Sequence, residues 1–353
     1  MADAVLHIKD SYYFEVPRSL WRQDFESLEE VPAFLREAHP AASLEDFEQA
    51  LAGKILIPQP FGRLQNLYEK HPTEGGFCIS KFMILELVAA ILLLVVFRTL
   101  AKRIEGGRVP PGKFWNMLES MLLFVRDQVA RAAIGSGNPH SVHDTGEDYP
   151  AAVETFDPDR HPEPLATHAP VVDAAAHRER GHHREGHTHH GPTGDTFAPL
   201  LWTVFFFILT LNLIGMVPWL GAPTAAFAVT LGMASVILVT TFGSGLKTFG
   251  VKWLWTGFVP HMDLPWYVWP LKIMIWFIEV AGSLIKHFVL AVRLLANMVA
   301  GHLVLLGILS MATVVATIGA ALFSGLELFV AFLQAYIFTF LAALFIGAAV
   351  HEH

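Results

Sequence analysis

Glu279, Lys286, Arg293, His302 and Glu327 are ionisable side chains inside apolar runs in the C-terminal third of this chain. A charged group at bilayer depth is costly and ordinarily marks a water-filled path, a partner charge or a proton relay. Glu279, Lys286 and Arg293 are spaced seven apart. At about 100° per residue, seven positions return to nearly the same helix face, so these three form one stripe, which Asn297 extends. His302 is nine beyond Arg293 and projects from the opposite face. In the next apolar run Glu327 and Gln334 are again seven apart. Antiparallel packing of the two runs would set Gln334 near Arg293 and Glu327 nearer His302. A His–Glu pair in a partly buried site is suited to relaying protons near neutral pH. Arg293 has no acid three or four residues away on either side, so its partner must come from another helix or another chain. A proton or ion pathway is therefore the leading chemistry. The plainer readings are snorkelling or lipid-headgroup binding for Lys286, a local ion pair for Glu279, hydrogen-bonded packing for His302 and a structural salt bridge for Arg293.

The elements that must position these groups are membrane helices. The chain is 53% hydrophobic and 16% charged, with mean hydropathy +0.45 over 353 residues. A soluble chain of this size carries more charge, and several apolar runs approach the ~20 residues that span a bilayer. The expected fold class is an all-α integral membrane protein: transmembrane helices, an interfacial amphipathic helix and two long tilted C-terminal helices. Four regions are expected. Residues 1–77 form an N-terminal extramembrane arm, with helical periodicity over Glu26–Phe34 and Leu44–Ala52. Residues 78–134 hold a first span over 82–97 and an amphipathic helix from Phe114 to about Ala133, whose Leu118, Met121, Leu122, Val125 and Val129 recur at helical spacing. Residues 135–196 are a polar, His-rich insert without apolar periodicity, expected to be disordered. Residues 197–353 form a channel region: a helical hairpin (197–217 and 225–246), then helices over roughly 267–318 and 322–350 with a break near Gly319–Gly325. Arg98, Lys102 and Arg103 follow the first span, and Lys247 and Lys252 follow the hairpin. By the positive-inside rule both ends are cytoplasmic, which puts the N-terminus outside and the C-terminus in the cytoplasm. Met1–Asp10 is polar without an apolar h-region, so the first span is expected to act as its own insertion signal.

Several function classes are excluded or demoted. The net charge of −8 leaves no basic footprint for nucleic acid. One cysteine supports neither a disulfide framework nor a multi-cysteine metal site. There is no G-x-x-x-x-G-K-[ST] phosphate loop, so no nucleotide chemistry is expected on this chain. Ten of the eighteen histidines lie in the 135–196 insert, including Gly-His-His-Arg-Glu-Gly-His-Thr-His-His (181–190). Imidazole clusters bind divalent ions, and a zinc-type metal transporter with a His-rich cytoplasmic loop is the alternative function. The loop histidines are irregularly spaced, however, and the membrane part lacks a paired His/Asp site. A structural membrane anchor would leave Arg293, His302 and Glu327 unexplained. No cofactor and no metal site is expected.

R-L-L-A-N-M-V-A-G-H (293–302) resembles the arginine motif of subunit a of F-type ATP synthases, and L-E-L-F-V-A-F-L-Q-A-Y-I-F (326–338) is similar to that family's last helix. V-P-P-G-K-F (109–114), N-L-I-G-M-V-P (212–218) and the terminal H-E-H (351–353) resemble further family segments. The resemblance covers about 78–134 and 197–353. It implies a proton-channel subunit of the membrane sector, with two aqueous half-channels beside a rotating ring of c subunits, coupling proton flow to ring rotation and ATP synthesis. It implies that Arg293 faces the ring carboxylate and blocks a direct proton leak, with Asn297 and Gln334 as polar neighbours. His302 and Glu327 would be a half-channel pair, and Glu279 and Lys286 would belong to the proton pathway. The implied partners are the c-ring, the peripheral-stalk b subunits, the rest of the ATP synthase and membrane lipid. The implied location is a bacterial inner membrane. Departures from the family pattern include His287 for a usual Pro, Ala296 for a usual Gly, and Gly215 where some members carry an acid. Ala226 and Ala228 replace acids or amides that wet the outer half-channel, which makes Glu86 a candidate substitute.

Overall fold

The computed structural model describes residues 9–17, 19–22, 24–71, 76–105, 112–135, 193–217, 219–259, 269–311 and 314–351. Residues 136–192 of the expected insert, including its histidines, lie outside the described residues. So do Val109–Pro111 and the last two residues.

The N-terminal region is a small α/β unit rather than two helices. Strand β1 (Tyr13–Glu15) pairs antiparallel with β2 (Lys54–Leu56), and between them run α1 (Ala33–Ala38) and α2 (Leu44–Leu51). Helix α2 starts at a capping box: Asp46 N–H donates to the Ser43 hydroxyl while the Ser43 N–H donates to the Asp46 carboxylate. The expected helix over Glu26–Phe34 is a run of turns, and the helix begins only at Ala33, because Pro32 cannot continue a helix from the residues before it. Tyr13, Val31, Leu35, Phe47 and Leu51 form the unit's apolar core. It is tied to the first span by Lys81 N–H donating to the Ser11 carbonyl and Phe82 N–H donating to Asp10.

Among the described residues, five helices are long and apolar enough to cross a membrane. Helix α3 (Lys81–Ile104) is capped by the Ser80 hydroxyl and ends on Lys102 and Arg103, which complement its C-terminal dipole. Helix α4 (Lys113–Phe124), a π-helical turn (Val125–Ala130) and α5 (Arg131–Ile134) make up the amphipathic segment. Helix α6 (Gly194–Gly215) begins three residues before the expected start, and α7 (Phe227–Phe249) completes the hairpin. After the short α8 (Trp253–Thr256) come α9 (Trp269–Leu309) and α10 (Val314–Val350). They have 41 and 37 residues, about 60 and 55 Å at 1.5 Å per residue, each well beyond a hydrocarbon core of roughly 30 Å.

The break between α9 and α10 falls after Leu309, not at Gly319–Gly325. Both glycines lie inside α10. A Cβ at Gly319 would meet only Ile308 among the described residues, and glycine is common in apolar membrane helices, so neither had to end one. Helix α6 is the hub. Its Leu201, Ile208 and Leu211 are fully buried, and it packs against α3, the π-turn and α10 through one cluster that includes Phe338, Ala342 and Ile346. Lipid tails are as apolar as these side chains, so close packing and hydrogen bonds hold this cluster rather than water exclusion. Glycines allow two such approaches: a Cβ at Gly194 would stand 2.7 Å from the Ala130 carbonyl oxygen, and one at Gly347 would collide with the Ala133 carbonyl.

Candidate functional site

Helix α9 carries its polar residues on two faces. On the outer face Lys286 Nζ lies 3.9 Å from Glu279 Oε1, with both side chains more than half exposed. A pair so open contributes little to stability. Arg293, two turns on, is exposed as well, and no hydrogen bond or ion pair engages it among the described residues. Its surroundings are apolar: Leu284, Ile285, Phe288 and Val289 are each 45% exposed or more. A guanidinium in a membrane helix ordinarily faces a water-filled path or a partner charge, and the described residues supply no such charge.

The inner face holds His302. Its Nδ1 lies 3.0 Å from the Met298 carbonyl oxygen, one turn back, and its Nε2 lies 3.0 Å from the carbonyl oxygen of Gly215, the last residue of α6. Glu327 Oε1 of α10 is 3.3 Å from Nδ1, and the two side chains are 13% and 11% exposed. Three oxygens thus surround two ring nitrogens. A neutral imidazole donates from one nitrogen only, and a protonated ring donates from both. The site therefore has an acceptor ready for each proton the ring holds, and a carboxylate beside it to receive one. Gly301 makes room for that carboxylate, because a Cβ there would stand 2.9 Å from Glu327 Oε1.

A cavity of about 190 Å³ opens beside the pair, lined by Asn212, Met216, Asn297, Glu327 and Ala331 among others. Asn212 is 2% exposed; its amide donates to the Ala331 carbonyl at 3.4 Å, and its Oδ1 has no partner among the described residues. The structure brings His302 and Glu327 together, as antiparallel packing of the two runs anticipates; Asn297, which the helical spacing places on the Arg293 stripe, lines the same cavity as Glu327. It does not join Gln334 to Arg293: Gln334 is 5% exposed, and its Nε2 is unpartnered among the described residues. Glu279 and Lys286 lie far along α9 from the cavity. Glu86 is partly buried on α3. Sequence reasoning missed Asn212 and the Gly215 carbonyl. An amide inside an apolar run is a legible signal for the first; a backbone acceptor leaves none.

Comparison with known proteins gives the family. The family model described as ATP synthase A chain matches residues 185–347. ATP synthase subunit a of Myxococcus xanthus is 32% identical over 290 residues, 78% of this chain and 75% of its own length. ATP synthase subunit a 2 of Prosthecochloris aestuarii is 30% identical over 337 residues, 92% of this chain and 84% of its own. ATP synthase subunit a of an Anaeromyxobacter species is 29% identical over 357 residues, 98% of this chain and 70% of its own. They lend no support to a metal transporter. The chain belongs to the ATP synthase A chain family, that of subunit a.

Proposed function

We propose that this chain is the proton-conducting subunit a of an ATP synthase membrane sector. It forms two half-channels beside a ring of c subunits and couples proton flow to ring rotation. The observation that carries this reading is the division of labour on α9. Arg293, exposed and without a partner among the described residues, stands on one face, and a buried His302–Glu327 pair stands on the other, beside a cavity that Asn212 and Asn297 also line. The cation facing out is available to a carboxylate on the ring. There it holds the passing carboxylate in its ionised form and bars direct proton transfer past the contact. The buried pair passes protons between one aqueous side and the ring, with Asn297 at the cavity wall. Gln334, Glu279 and Lys286 supply further polar groups along the two long helices. ATP chemistry belongs to partner subunits, and the peripheral-stalk b subunits hold this chain against the ring.

The topology follows from charge. Lys102 and Arg103 end α3, and Lys247 and Lys252 close α7, which supports a cytoplasmic side for both ends; the membrane proposed is a bacterial inner membrane. The N-terminal α/β unit is then outside and the C-terminus inside. Contacts between ends support this: His351 bonds the Ile134 carbonyl at 2.6 Å, and Arg131 pairs with Asp195 at the start of α6. The regions proposed are an extramembrane arm (1–77), the first span with its interfacial segment (78–134), the His-rich insert (135–196) and the channel region (197–353).

The test is ATP-driven acidification of inverted membrane vesicles, wild type against Arg293→Ala, with assembly of the complex shown to be equal. Loss of acidification is expected. Unchanged acidification in the variant would remove Arg293 from the pathway and the channel reading with it.

A further inference from the structure

Six residues before Arg293, α9 buries a second histidine that the pathway above does not use. His287 is 4% exposed. Its Nδ1 lies 2.8 Å from the Ser283 carbonyl oxygen, and its ring lies 4.7 Å from that of Phe345 on α10. A carbonyl can only accept, so Nδ1 carries the hydrogen of the neutral ring and Nε2 bears the lone pair. That Nε2 is buried without a hydrogen-bond partner among the described residues. Packing alone would favour leucine at such a position, because a buried polar atom left unpaired opposes folding.

Thr241 on α7 presents the same anomaly: it is 5% exposed, and its hydroxyl has no partner among the described residues. The two sit at one level of the bundle. Ile237, Leu290 and Ala342 belong to one buried cluster, and Phe242, Trp276, Val280 and Ala349 belong to another. About a turn along α7 from Ile237 come Thr241 and then Ser244, and about a turn along α9 from Leu290 comes His287, whose ring meets Phe345 of α10. This polar layer, with unsatisfied atoms on His287 and Thr241, lies among apolar side chains of the two clusters.

The position along α9 gives the layer meaning. His287 and His302 are fifteen residues apart, which leaves them within about 60° of one another around the helix. On the same buried face between them stand Leu290, Leu294 and Met298, which are 1%, 1% and 6% exposed. The inner face of α9 therefore carries a titratable ring, an apolar plug and a second titratable ring, with Arg293 at the level of the plug on another face. Two half-channels that must not communicate directly require such a plug.

We infer that His287, with the hydroxyls of Thr241 and Ser244, carries protons in the half-channel on the opposite side of Arg293 from His302. The inference rests on the proton-channel reading above. Each passage forms one N–H bond at Nε2 as a hydronium ion gives up its proton, and breaks it as the proton moves on toward the ring, so the imidazole ends neutral. Few charges compete at this level. Lys286 is adjacent and Glu279 two turns away on α9, α7 has only Lys247, and α10 has only Glu327.

The test is passive proton flux, driven by a potassium diffusion potential, through inverted vesicles carrying the membrane sector after removal of the catalytic sector. Medium pH is stepped from about 5.5 to 8, the range in which imidazole titrates. His287→Asn keeps a polar group within reach of Ser283 but cannot titrate. It is expected to lower flux roughly tenfold and to flatten its pH profile, as loss of a proton-transfer group does. His287→Leu is expected to do the same. Assembled variants that conduct at the wild-type rate with the wild-type pH profile would make His287 a packing residue and overturn the inference. If no His287 variant assembles, the near-isosteric Thr241→Val decides: a lowered flux supports the station, and an unchanged flux overturns it. The channel reading fails separately, if wild-type vesicles conduct no better than vesicles without the complex.

Discussion

Gly301 faces the carboxylate of Glu327 so closely that a Cβ there would stand 2.9 Å from Oε1. That oxygen is also the one 3.3 Å from His302 Nδ1. The glycine is thus a spatial requirement of the pair. Gly301→Ala leaves α9 intact, since alanine is the better helix former, but it pushes the carboxylate off the ring. Proton flux is expected to fall roughly tenfold, the loss typical of a displaced proton donor or acceptor. Glu327→Asp in the Gly301→Ala background withdraws the carboxylate by one carbon and is expected to recover part of the flux. Wild-type flux in Gly301→Ala would show that the pair tolerates displacement and that the contact is incidental.

His302 and Glu327 should each fail alone. Glu327→Gln keeps size and polarity but cannot bind and release a proton, and His302→Leu removes the ring nitrogens that meet the Met298 and Gly215 carbonyls. Each is expected to cut ATP-driven acidification by roughly tenfold or more in assembled complexes. The double variant should lose little beyond the worse single one, because groups acting as one unit are not additive. Additive losses, measured as the ratio of pumping rates, would mean the two residues work independently.

Much of this site was legible before any coordinates. Seven-residue spacing put Glu279, Lys286 and Arg293 on one face, and a nine-residue step put His302 on the other. The absence of a nearby acid anticipated that Arg293 has no partner on its own helix. What escaped the sequence depends on tertiary approach. The Gly215 carbonyl that meets His302 belongs to a residue 87 positions away and has no side chain to announce it. The π-turn after Phe124 carries no local signal; the indole of Trp202 donates to the Leu122 carbonyl just before it at 2.8 Å, across 80 residues. His287 drew notice only as a replacement for proline, although its place on the stripe of Leu290, Leu294 and Met298 already implied burial. The α9–α10 break was misplaced because glycines were read as breakers, a rule from water-soluble helices.

Two glycines with different surroundings should respond in opposite directions. Gly347 packs its Cα against the Ala133 backbone, and Gly232 has open space where a Cβ would go. A methyl at position 347 can be accommodated only by moving the amphipathic segment away from α10, and forcing extra volume into a packed contact costs about 1–3 kcal/mol. At position 232 the same methyl meets nothing and improves helix propensity by up to about 1 kcal/mol. Thermal unfolding of the assembled complex is therefore expected to occur earlier for Gly347→Ala and no earlier for Gly232→Ala. Equal stability of the two would mean the α10–α5 contact yields easily.

The same segment is fastened by a charge network with a definite pH response. Arg126 bonds the Asp127 carboxylate at 2.8 Å, Arg131 bonds it at 2.9 Å, and Arg131 grips Asp195 with two nitrogens at 2.8 and 2.9 Å. The hydrogen bond from Arg126 comes first among the influences that hold Asp127 below the usual carboxylate range, and the charges of Arg126 and Arg131 add to it. A depressed folded-state value means that the stabilisation is fully present above the unfolded value, about 3.9 for aspartate, and is lost as pH falls through the lower folded one. Hydrogen exchange of residues 113–134 in lipid nanodiscs should therefore be flat from neutral pH down to about 5, and protection should decline only below about 4. Asp127→Asn lowers protection at every pH and makes the acid decline shallower, because one of the titrating acceptors is gone. Arg131→Gln breaks both arms of the network and should loosen the segment at neutral pH. An acid decline as steep in Asp127→Asn as in the wild type would place the controlling group elsewhere in the fold.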